Sequence, residues 1–577
     1  MAAIVQWLER LIVVQDVEGS NPSSRPILYR ECVMRSVRKS CLFLATTVVL
    51  TAALAGVITA QSEQKMLRGR NDKFGSEQYA PGELLVKIKG GSTSRAAQHA
   101  NMMVGAKVLE DLAQPDWQRV QLPVGLTVDS AIAVYKTMPD VEYVQPNYYY
   151  HLLATPNDPQ WTSSAMYGLR KVSAPAAWDL STGSALVVVA DIDTGMRYTH
   201  QDLAQNAWNN PGEIAGNGID DDGNGFIDDL YGWDFRFNDA DPIDLDGTTS
   251  GSHGTHTAGT IGAVGNNLVG VVGMNWTVKL MTIKIFNNTV SDDTTSAMLV
   301  NAYNYIRMMK LRGINIVATN NSYGGCTEAC GFDQATKDGL DAMGDAEIVN
   351  VFAAGNGNYN NDTSPSYPAS YTSPSVVAVA ASDSNDNRAS FSQWGLTSVD
   401  LAAPGVSILS TVPTGYSSNF SGTSMATPHV TGAVALLASY RPDLSAASLK
   451  ASILNNVDVL PAWATLVKTG GRLNIFKAMQ NPTVCSFSTG DSAGVSLRGG
   501  KPYDVSIPVT AAPNCDYMVK SNSAWLTITG NNVFSGNGTF TFHASSNNTG
   551  ATRTAVISFG GRTYTVSQRS NDRSPRS

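Results

Sequence analysis

The run from Val430 to Tyr440 constrains the fold more than any other stretch, because Gly432, Ala433, Val434, Ala435, Leu436 and Leu437 leave it no polar face. A helix without a polar stripe is buried nearly all round, so other elements must cover it on several sides. Just upstream the chain reads Ser421-Gly422-Thr423-Ser424-Met425-Ala426-Thr427-Pro428-His429. A proline is tolerated in the first turn of a helix, which predicts that the helix begins near Ser424, with Pro428 in that turn. Ser424 then sits at the mouth of a buried helix, in the field of its unpaired N–H groups. Gly-Thr-Ser is also an ordinary N-cap, so this segment alone leaves a catalytic and a structural reading open.

A serine hydroxyl is a poor nucleophile until a base takes its proton and a third group orients that base. Both partners are present upstream. Ser184–Asp193 is a hydrophobic strand ending in Asp193-Thr194-Gly195, which projects a carboxylate from its C-terminal end, where open α/β sheets place their chemistry. His253-Gly254-Thr255-His256-Thr257-Ala258-Gly259-Thr260 starts a second small-residue helix with His253 at its mouth. The chain order is acid, histidine, serine. An α/β-hydrolase carries its acid and histidine after the serine, and here only His429 and His543 follow Ser424. One lies on the serine's own helix and the other in a later domain, so that ordering fails.

Ile348–Asn356 (IVNVFAAGN) is a further buried strand that ends by presenting an amide. Asn356 is placed to donate to a developing oxyanion alongside the Ser424 backbone N–H. The quartet DTG, HGTH, AAGN and GTSMATPH resembles the subtilisin-like serine peptidases over roughly residues 156–480. The resemblance implies Asp193 as orienter, His253 as general base and acid, Ser424 as nucleophile and Asn356 as oxyanion donor. It also implies an α/β fold, a three-layer catalytic domain with a mostly parallel sheet. Asp191, two residues before Asp193, falls where that pattern has an apolar residue and reads as a local polar substitution. His256 reads as a structural histidine, since the H-E-x-x-H spacing of zinc peptidases is missing.

In this family the segment after the strand Ile314–Thr319, Asn320 to Gly325, offers its backbone edge to an extended peptide, so recognition depends weakly on side chains. The resemblance walls the primary specificity pocket with Ser322, Tyr323 and Gly324 and with Ala353, Ala354 and Gly355, with Ser366 near its floor. None of these is acidic, which predicts an apolar residue before the scissile bond rather than lysine or arginine.

A chain of 577 residues is too long for one core. A net charge of −8, with a pI near 5.4 and no basic stripe, argues against nucleic acid as a partner. Met34-Arg35-Ser36-Val37-Arg38-Lys39 followed by the apolar run 41–60 has the pattern of a secretory signal, which predicts a secreted, extracellular protein. The same run is long enough to serve instead as an uncleaved membrane anchor. Residues 1–33 read as a leader or an upstream extension of the reading frame. Residues 61–152 resemble the inhibitory propeptide of this family, with strands at Glu83–Ile88, Trp117–Leu122 and Val141–Gln145 and helices near Thr93–Val104 and Val128–Thr137. The resemblance makes the protein's own propeptide its inhibitor and Pro146–Leu153 the processing segment.

In an exported chain the pairs Cys326–Cys330 and Cys485–Cys515 read as disulfides. Between Asp193 and His253 lies an acidic insertion. Asp220, Asp222 and Asn224 alternate before a glycine turn, followed by Phe226 through its carbonyl and Asp228, in the manner of the first part of an EF-hand loop; the twelfth position is Tyr231, so the helix-loop-helix module is missing. A structural Ca2+ is the expected cofactor. Asp234, Asp239 and Asp241 resemble a second family calcium site, and Asp202 a third.

Residues 483–570 alternate in short strands with turns such as Gly560-Gly561, an all-β, Ig-like sandwich. Ser523–Ile528, Arg553–Ala555 and Thr563–Gln568 resemble the BACON family, which implies glycan or matrix as a partner. Trp525 would then stack on a sugar or, in the plainer reading, fill the core. This tail reads as separable from the peptidase domain, residues 153–480. The expected whole is a self-processing serine endopeptidase acting on protein and peptide substrates. Its rivals are an inactive adhesion or glycan-binding protein on the same scaffold, and a processing protease of narrow specificity.

Overall fold

The computed structural model describes residues 79–114, 116–148, 154–245, 252–287, 294–324, 332–490 and 493–571. The expected leader, the signal or anchor run, the last residues of the processing segment and the Cys326–Cys330 pair fall outside them. No helix among the described residues is long and apolar enough to cross a membrane.

Two compact units divide the chain near Tyr149. The first has the order β1 (Tyr79–Ile88), α1 (Arg95–Val104), β2 (Lys107–Asp111), β3 (Trp117–Gln121), α2 (Val128–Tyr135) and β4 (Val141–Tyr148). Its sheet runs β2-β3-β1-β4, with β1 antiparallel to both β3 and β4. Alternation on β1 sends Leu84, Val86 and Ile88 into the core, where Ala97, Ala100, Ala131 and Tyr135 of the helices meet them. The Ser94 and Thr127 hydroxyls cap the two helices. Sequence reading missed β2. Every residue of that edge strand is exposed, so it carries no pattern of alternating burial.

The second unit is built on β5 (Gly183–Asp193), β6 (Gly232–Asp234), α3 (His253–Gly262), β7 (Thr277–Lys284), α4 (Ser296–Leu311), β8 (Ile316–Asn321), α5 (Gln334–Asp345), β9 (Val349–Ala353), β10 (Val376–Ser382), β11 (Leu401–Pro404), β12 (Ile408–Val412), β13 (Gly415–Phe420), α6 (Thr423–Tyr440), α7 (Ala446–Asn455), β14 (Asp458–Val459) and β15 (Gly471–Arg472). Nine of its strands form one sheet, β14-β15-β11-β10-β9-β8-β5-β7-β6, parallel throughout except for β14 against β15. Helices cover both faces, which is why β8, β9 and β10 are buried along their whole length. On one side Ala258 and Ile261 of α3 and Val430, Val434 and Leu437 of α6 pack on Val189, Val351 and Val379. On the other, Tyr303 and Ile306 of α4 and Leu340 and Met343 of α5 pack on Ile192 and Phe352.

The expected start of α6 needs correction. The helix begins at Thr423, so Pro428 lies inside it rather than in its first turn. Proline has no N–H to offer the carbonyl four residues back, that of Ser424. The Ser322 hydroxyl supplies the missing donor, 2.9 Å from that carbonyl.

The C-terminal strands are β16 (Gly494–Leu497), β17 (Tyr503–Val509), β18 (Asp516–Met518), β19 (Lys520–Ser521), β20 (Leu526–Thr529), β21 (Val533–Ser535), β22 (Gly538–Ala544), β23 (Arg553–Phe559) and β24 (Arg562–Gln568). The sheets β16-β24-β23-β19 and β17-β22-β20 close over Leu526, Phe540, Phe542, Ile557 and Val566. Cys485 and Cys515 are disulfide-bonded. One side of Trp525 packs on this core, and the Arg553 guanidinium lies 4.2 Å from its ring centre, which leaves little open face for a sugar.

The tail is not a free appendage. Ala447 and Ala451 of α7 belong to its hydrophobic core, and the Ser448 hydroxyl accepts the Cys485 N–H at 3.0 Å. Lys450 reaches from α7 to Asp516 at 2.7 Å, with the two side chains only 4% and 9% exposed. The expectation of separability rested on a core and a disulfide lying wholly after the catalytic domain, and Ala451 of α7 shows that this core extends back into it.

Candidate active site

Parallel strands β5, β8 and β9 end at one edge of the sheet, and the chain turns there bring four segments together. Asp193 is the last residue of β5, His253 the first of α3, Ser424 the second of α6, and Asn356 lies three residues past β9. Gly254 makes the first meeting possible, since a Cβ there would stand 2.1 Å from the Gly195 carbonyl. Any side chain would push the helix carrying His253 off the Asp193 turn.

His253 Nδ1 lies 2.8 and 2.9 Å from the two carboxylate oxygens of Asp193, whose Oδ1 also accepts the Thr194 N–H at 2.7 Å. Asp193 is buried and His253 partly so. Burial opposes a charge on the imidazole, but the Asp193 carboxylate in contact with it raises its pKa above the ordinary value. The Nδ1 contact leaves Nε2 as the free ring nitrogen.

The Ser424 hydroxyl donates to the Ser322 carbonyl at 3.0 Å, so Ser322 and Ser424 are joined reciprocally. Asn356 Oδ1 accepts from the Thr423 N–H at 2.9 Å and the Thr423 hydroxyl at 3.0 Å, which fixes the amide and leaves Nδ2 free to donate. His256 is fully buried, holds the Ile408 carbonyl at 2.9 Å and stacks on Phe420; burial pushes its pKa down to about 3.

Beside Ser424 is a pocket of about 260 Å3. Ser322, Tyr323, Gly324, Ala353 and Gly355 line it together with Asn356, and no lining side chain carries a charge. Ala354 does not line it. Its neighbour Ala353 faces the pocket, and Ala354 points the opposite way, fully buried in the core with Phe352. Ser366 is also buried and outside the lining; its N–H is bonded to Ser370 at 2.9 Å, while the Tyr367 carbonyl comes close behind Gly324. Sequence reading missed Gly357, Tyr359 and Gln393, which complete the wall. They come from irregular segments whose spacing carries no signal.

The acidic insertion brings Glu213, Asp220 and Asp222 together with one carboxylate oxygen each within 4.8 Å of the others. No other such group of histidine, cysteine and acidic side chains occurs among the described residues. The Arg312 guanidinium lies 3.2 Å from Asp222. Three carboxylates at this spacing fit a hard divalent cation such as Ca2+. Asn224 and Asp228 are engaged elsewhere. Asn224 turns its amide to Asp222 at 3.3 Å and to the buried Asp229 at 2.9 Å, and Asp228 accepts the N–H groups of Asn217 and Gly218 at 3.1 and 2.9 Å. The Phe226 ring packs on Trp233 and Tyr305. Glu213 was not foreseen because it stands outside the loop pattern, in a preceding turn.

Asp234, Asp239 and Asp241 do not converge: Asp234 accepts from Arg236 and Phe237 N–H at 2.7 and 3.0 Å, Asp239 from Asp241 N–H at 3.0 Å, and Asp241 from the Tyr198 hydroxyl at 2.7 Å. Asp202 is fully buried, held by the Asn267 amide at 2.8 Å and the Val271 N–H at 2.9 Å, and burial raises its pKa to about 6. The field of Asp158 acts on it, and Asp158 keeps one buried carboxylate oxygen without a partner. That orphan fits a cation beside Asp202.

The sequence profile of the subtilase family matches residues 184–476, and that of the fervidolysin N-terminal prodomain matches residues 68–147. Thermitase of Thermoactinomyces vulgaris is 37% identical over 326 residues, 56% of this chain and 99% of its own. The thermophilic serine proteinase of Bacillus sp. strain AK1 is 33% identical over 408 residues, 70% of this chain and 88% of its own. Subtilisin E of Bacillus subtilis strain 168 is 30% identical over 421 residues, 71% and 90% respectively.

Proposed function

The chain belongs to the subtilase family of serine endopeptidases and carries a prodomain, and from this premise we propose that it is a secreted, self-processing zymogen that cleaves proteins through Asp193, His253, Ser424 and Asn356. The observation that carries the reading is the grip of Asp193 on His253 Nδ1, at 2.8 and 2.9 Å, which presents Nε2 on the side away from the carboxylate. Ser424 Oγ exchanges its bond to the Ser322 carbonyl for one to His253 Nε2. As Oγ attacks the scissile carbonyl carbon, its proton passes to Nε2, and the carbonyl oxygen takes the negative charge between Asn356 Nδ2 and the Ser424 N–H. His253 returns the proton to the leaving amine. A water, deprotonated in the same way, then releases the acyl group. His253 must be neutral to begin, so kcat/KM falls as pH drops through its raised pKa.

Mass spectrometry of the purified protein tests the reading. It should give a mature N-terminus near residue 150 and cuts in a peptide library after apolar residues, both blocked by a serine-directed sulfonyl fluoride. An intact precursor with no cuts would sink it.

Replacing Asn356 by alanine should lower kcat by roughly 100- to 1,000-fold with KM little changed, a size taken from loss of the equivalent donor in subtilisin itself. A loss confined to KM would move Asn356 to substrate binding.

The carboxylates of Glu213, Asp220 and Asp222 would hold a structural Ca2+, with Asp202 and Asp158 at a second site. The triad chemistry needs no metal, so the ion acts on stability. Binding at 100 times Kd contributes about 2.7 kcal/mol. Chelation should therefore lower the thermal midpoint and resistance to autolysis and preserve initial turnover in the cold. Glu213→Ala and Asp222→Ala should each reproduce part of the loss. Equal midpoints with and without Ca2+ in a Ser424→Ala protein would return the insertion to a solvated loop.

A further inference from the structure

Asp191 has no role in the chemistry above, yet it is buried at the centre of the site, 2% exposed. Its Oδ1 lies 2.9 Å from the Asn320 amide nitrogen, and its Oδ2 lies 3.0 Å from the Thr257 hydroxyl. That hydroxyl is also 2.9 Å from the Gly254 carbonyl. A hydroxyl has one hydrogen. With Asp191 ionised, the Thr257 hydrogen serves either the carboxylate or the carbonyl, and the other contact sets two acceptors face to face. With a proton on Asp191 Oδ2 the row closes, because Oδ2–H donates to Thr257 and Thr257 donates to Gly254.

The other side of the carboxyl is equally committed. Asn320 spends one amide hydrogen on Asp191 and the other on the Ser322 hydroxyl at 3.0 Å, and its oxygen accepts from Thr431 of α6 at 3.0 Å. Ser322 in turn donates to the Ser424 carbonyl, which is open because Pro428 cannot reach it. We infer that Asp191 is held as a neutral carboxylic acid and serves as a positioning residue, tying Gly254 beside His253 to the backbone of Ser424 through two buried hydrogen-bond rows. The inference rests on the triad reading.

The surroundings agree. The titratable groups acting on Asp191 are Asp193 on its own strand and His253 on α3. Lys284 on β7 and Asp244 lie beyond them, around Asp193. From β8 and α6 the facing side chains, Asn320 and Thr431, are neutral. Burial first, and the Asp193 charge second, push the Asp191 carboxyl well above the usual carboxylate range. An apolar side chain would take away the donor to the Thr257 hydroxyl oxygen and strand an amide hydrogen of Asn320, both of them fully buried.

The test compares the mature enzyme with Asp191→Asn, Asp191→Leu and Thr257→Val. Active sites are counted by titration with a sulfonyl fluoride, and kcat, KM and the pH profile are read on a short peptide anilide. Asparagine can donate to Thr257 and accept from Asn320, so Asp191→Asn should keep kcat within about threefold and leave the acid limb of kcat/KM where it is. Asp191→Leu and Thr257→Val should each lose about tenfold or more in kcat per titrated site, with KM little changed. An acid limb moved down by about half a pH unit or more in Asp191→Asn would mean that the native group is charged and would overturn the inference. Full kcat per site in Thr257→Val or Asp191→Leu would overturn the positioning role. Where the leucine protein does not fold, the pH profile of Asp191→Asn and the kcat of Thr257→Val decide. A wild type that the sulfonyl fluoride does not inactivate sinks the triad reading itself; inactivation with unaffected Thr257→Val sinks this one alone.

Discussion

Replacing Ser424 by alanine is expected to abolish peptide hydrolysis and leave the fold intact. The side chain is partly exposed, and its hydroxyl makes a single bond, to the Ser322 carbonyl. Alanine at the second position of α6 suits the helix at least as well as serine. The loss in kcat should be on the order of a millionfold, the size known for the serine of subtilisin itself rather than one obtained from this chain. Processing should stop with it, leaving the prodomain, up to about residue 150, attached. Mass spectrometry and a peptide assay in a protease-free preparation check both. A variant that still sheds those residues and still cleaves peptide removes Ser424 from the chemistry.

The parts legible in the sequence were those in which backbone geometry demands particular residues at fixed spacing. Asp193-Thr194-Gly195 and His253-Gly254 are such a case, because the strand end, the helix mouth and the missing Cβ of Gly254 are one contact seen from two sides. The strands β5 and β9 were legible as buried runs for the same kind of reason, both faces being covered by helices. Facing across a turn was harder. Ala353 and Ala354 look alike in the sequence, and only the turn past β9 decides that one lines the pocket and the other fills the core.

Groups that meet only in space left no trace. Glu213 joins Asp220 and Asp222 from another turn, and Gln393 reaches the pocket from a segment after β10. Asp191 was visible as an exception to an apolar pattern, but its meaning depends on Thr257, Asn320 and Ser322 being around it. A buried polar network is specified by three or four elements at once, so no one of them announces it.

The junction between α7 and the C-terminal strands is the clearest instance, and it carries the second large prediction. Lys450 is buried with three oxygens around its ammonium, those of Pro374 at 2.9 Å, Val376 at 2.6 Å and the Asp516 carboxylate at 2.7 Å. Burial disfavours both charges, but the pair prevails: Asp516 holds the Lys450 pKa above its ordinary value, and Lys450 holds Asp516 below its own. The stability this adds is present above the ordinary carboxylate pKa. It is lost as pH falls through the depressed value of Asp516, or rises through the raised value of Lys450. Asp516→Ala leaves the ammonium with two carbonyls and no carboxylate in contact, only the more distant field of Asp400. Removing one member of such a pair costs about 3–5 kcal/mol, enough to lower the melting midpoint by roughly 10 °C. Replacing both, as Lys450→Met with Asp516→Leu, should recover most of it, since burial without charge avoids the desolvation cost. By the same argument a chain ending near Gln480 lacks the partner of Lys450 and the cover of Ala447 and Ala451, so it should melt well below the full chain. Melts in a Ser424→Ala background exclude autolysis as a cause. An Asp516→Ala midpoint equal to that of its parent would show that the strands and the catalytic unit fold independently, as their sequence texture suggests.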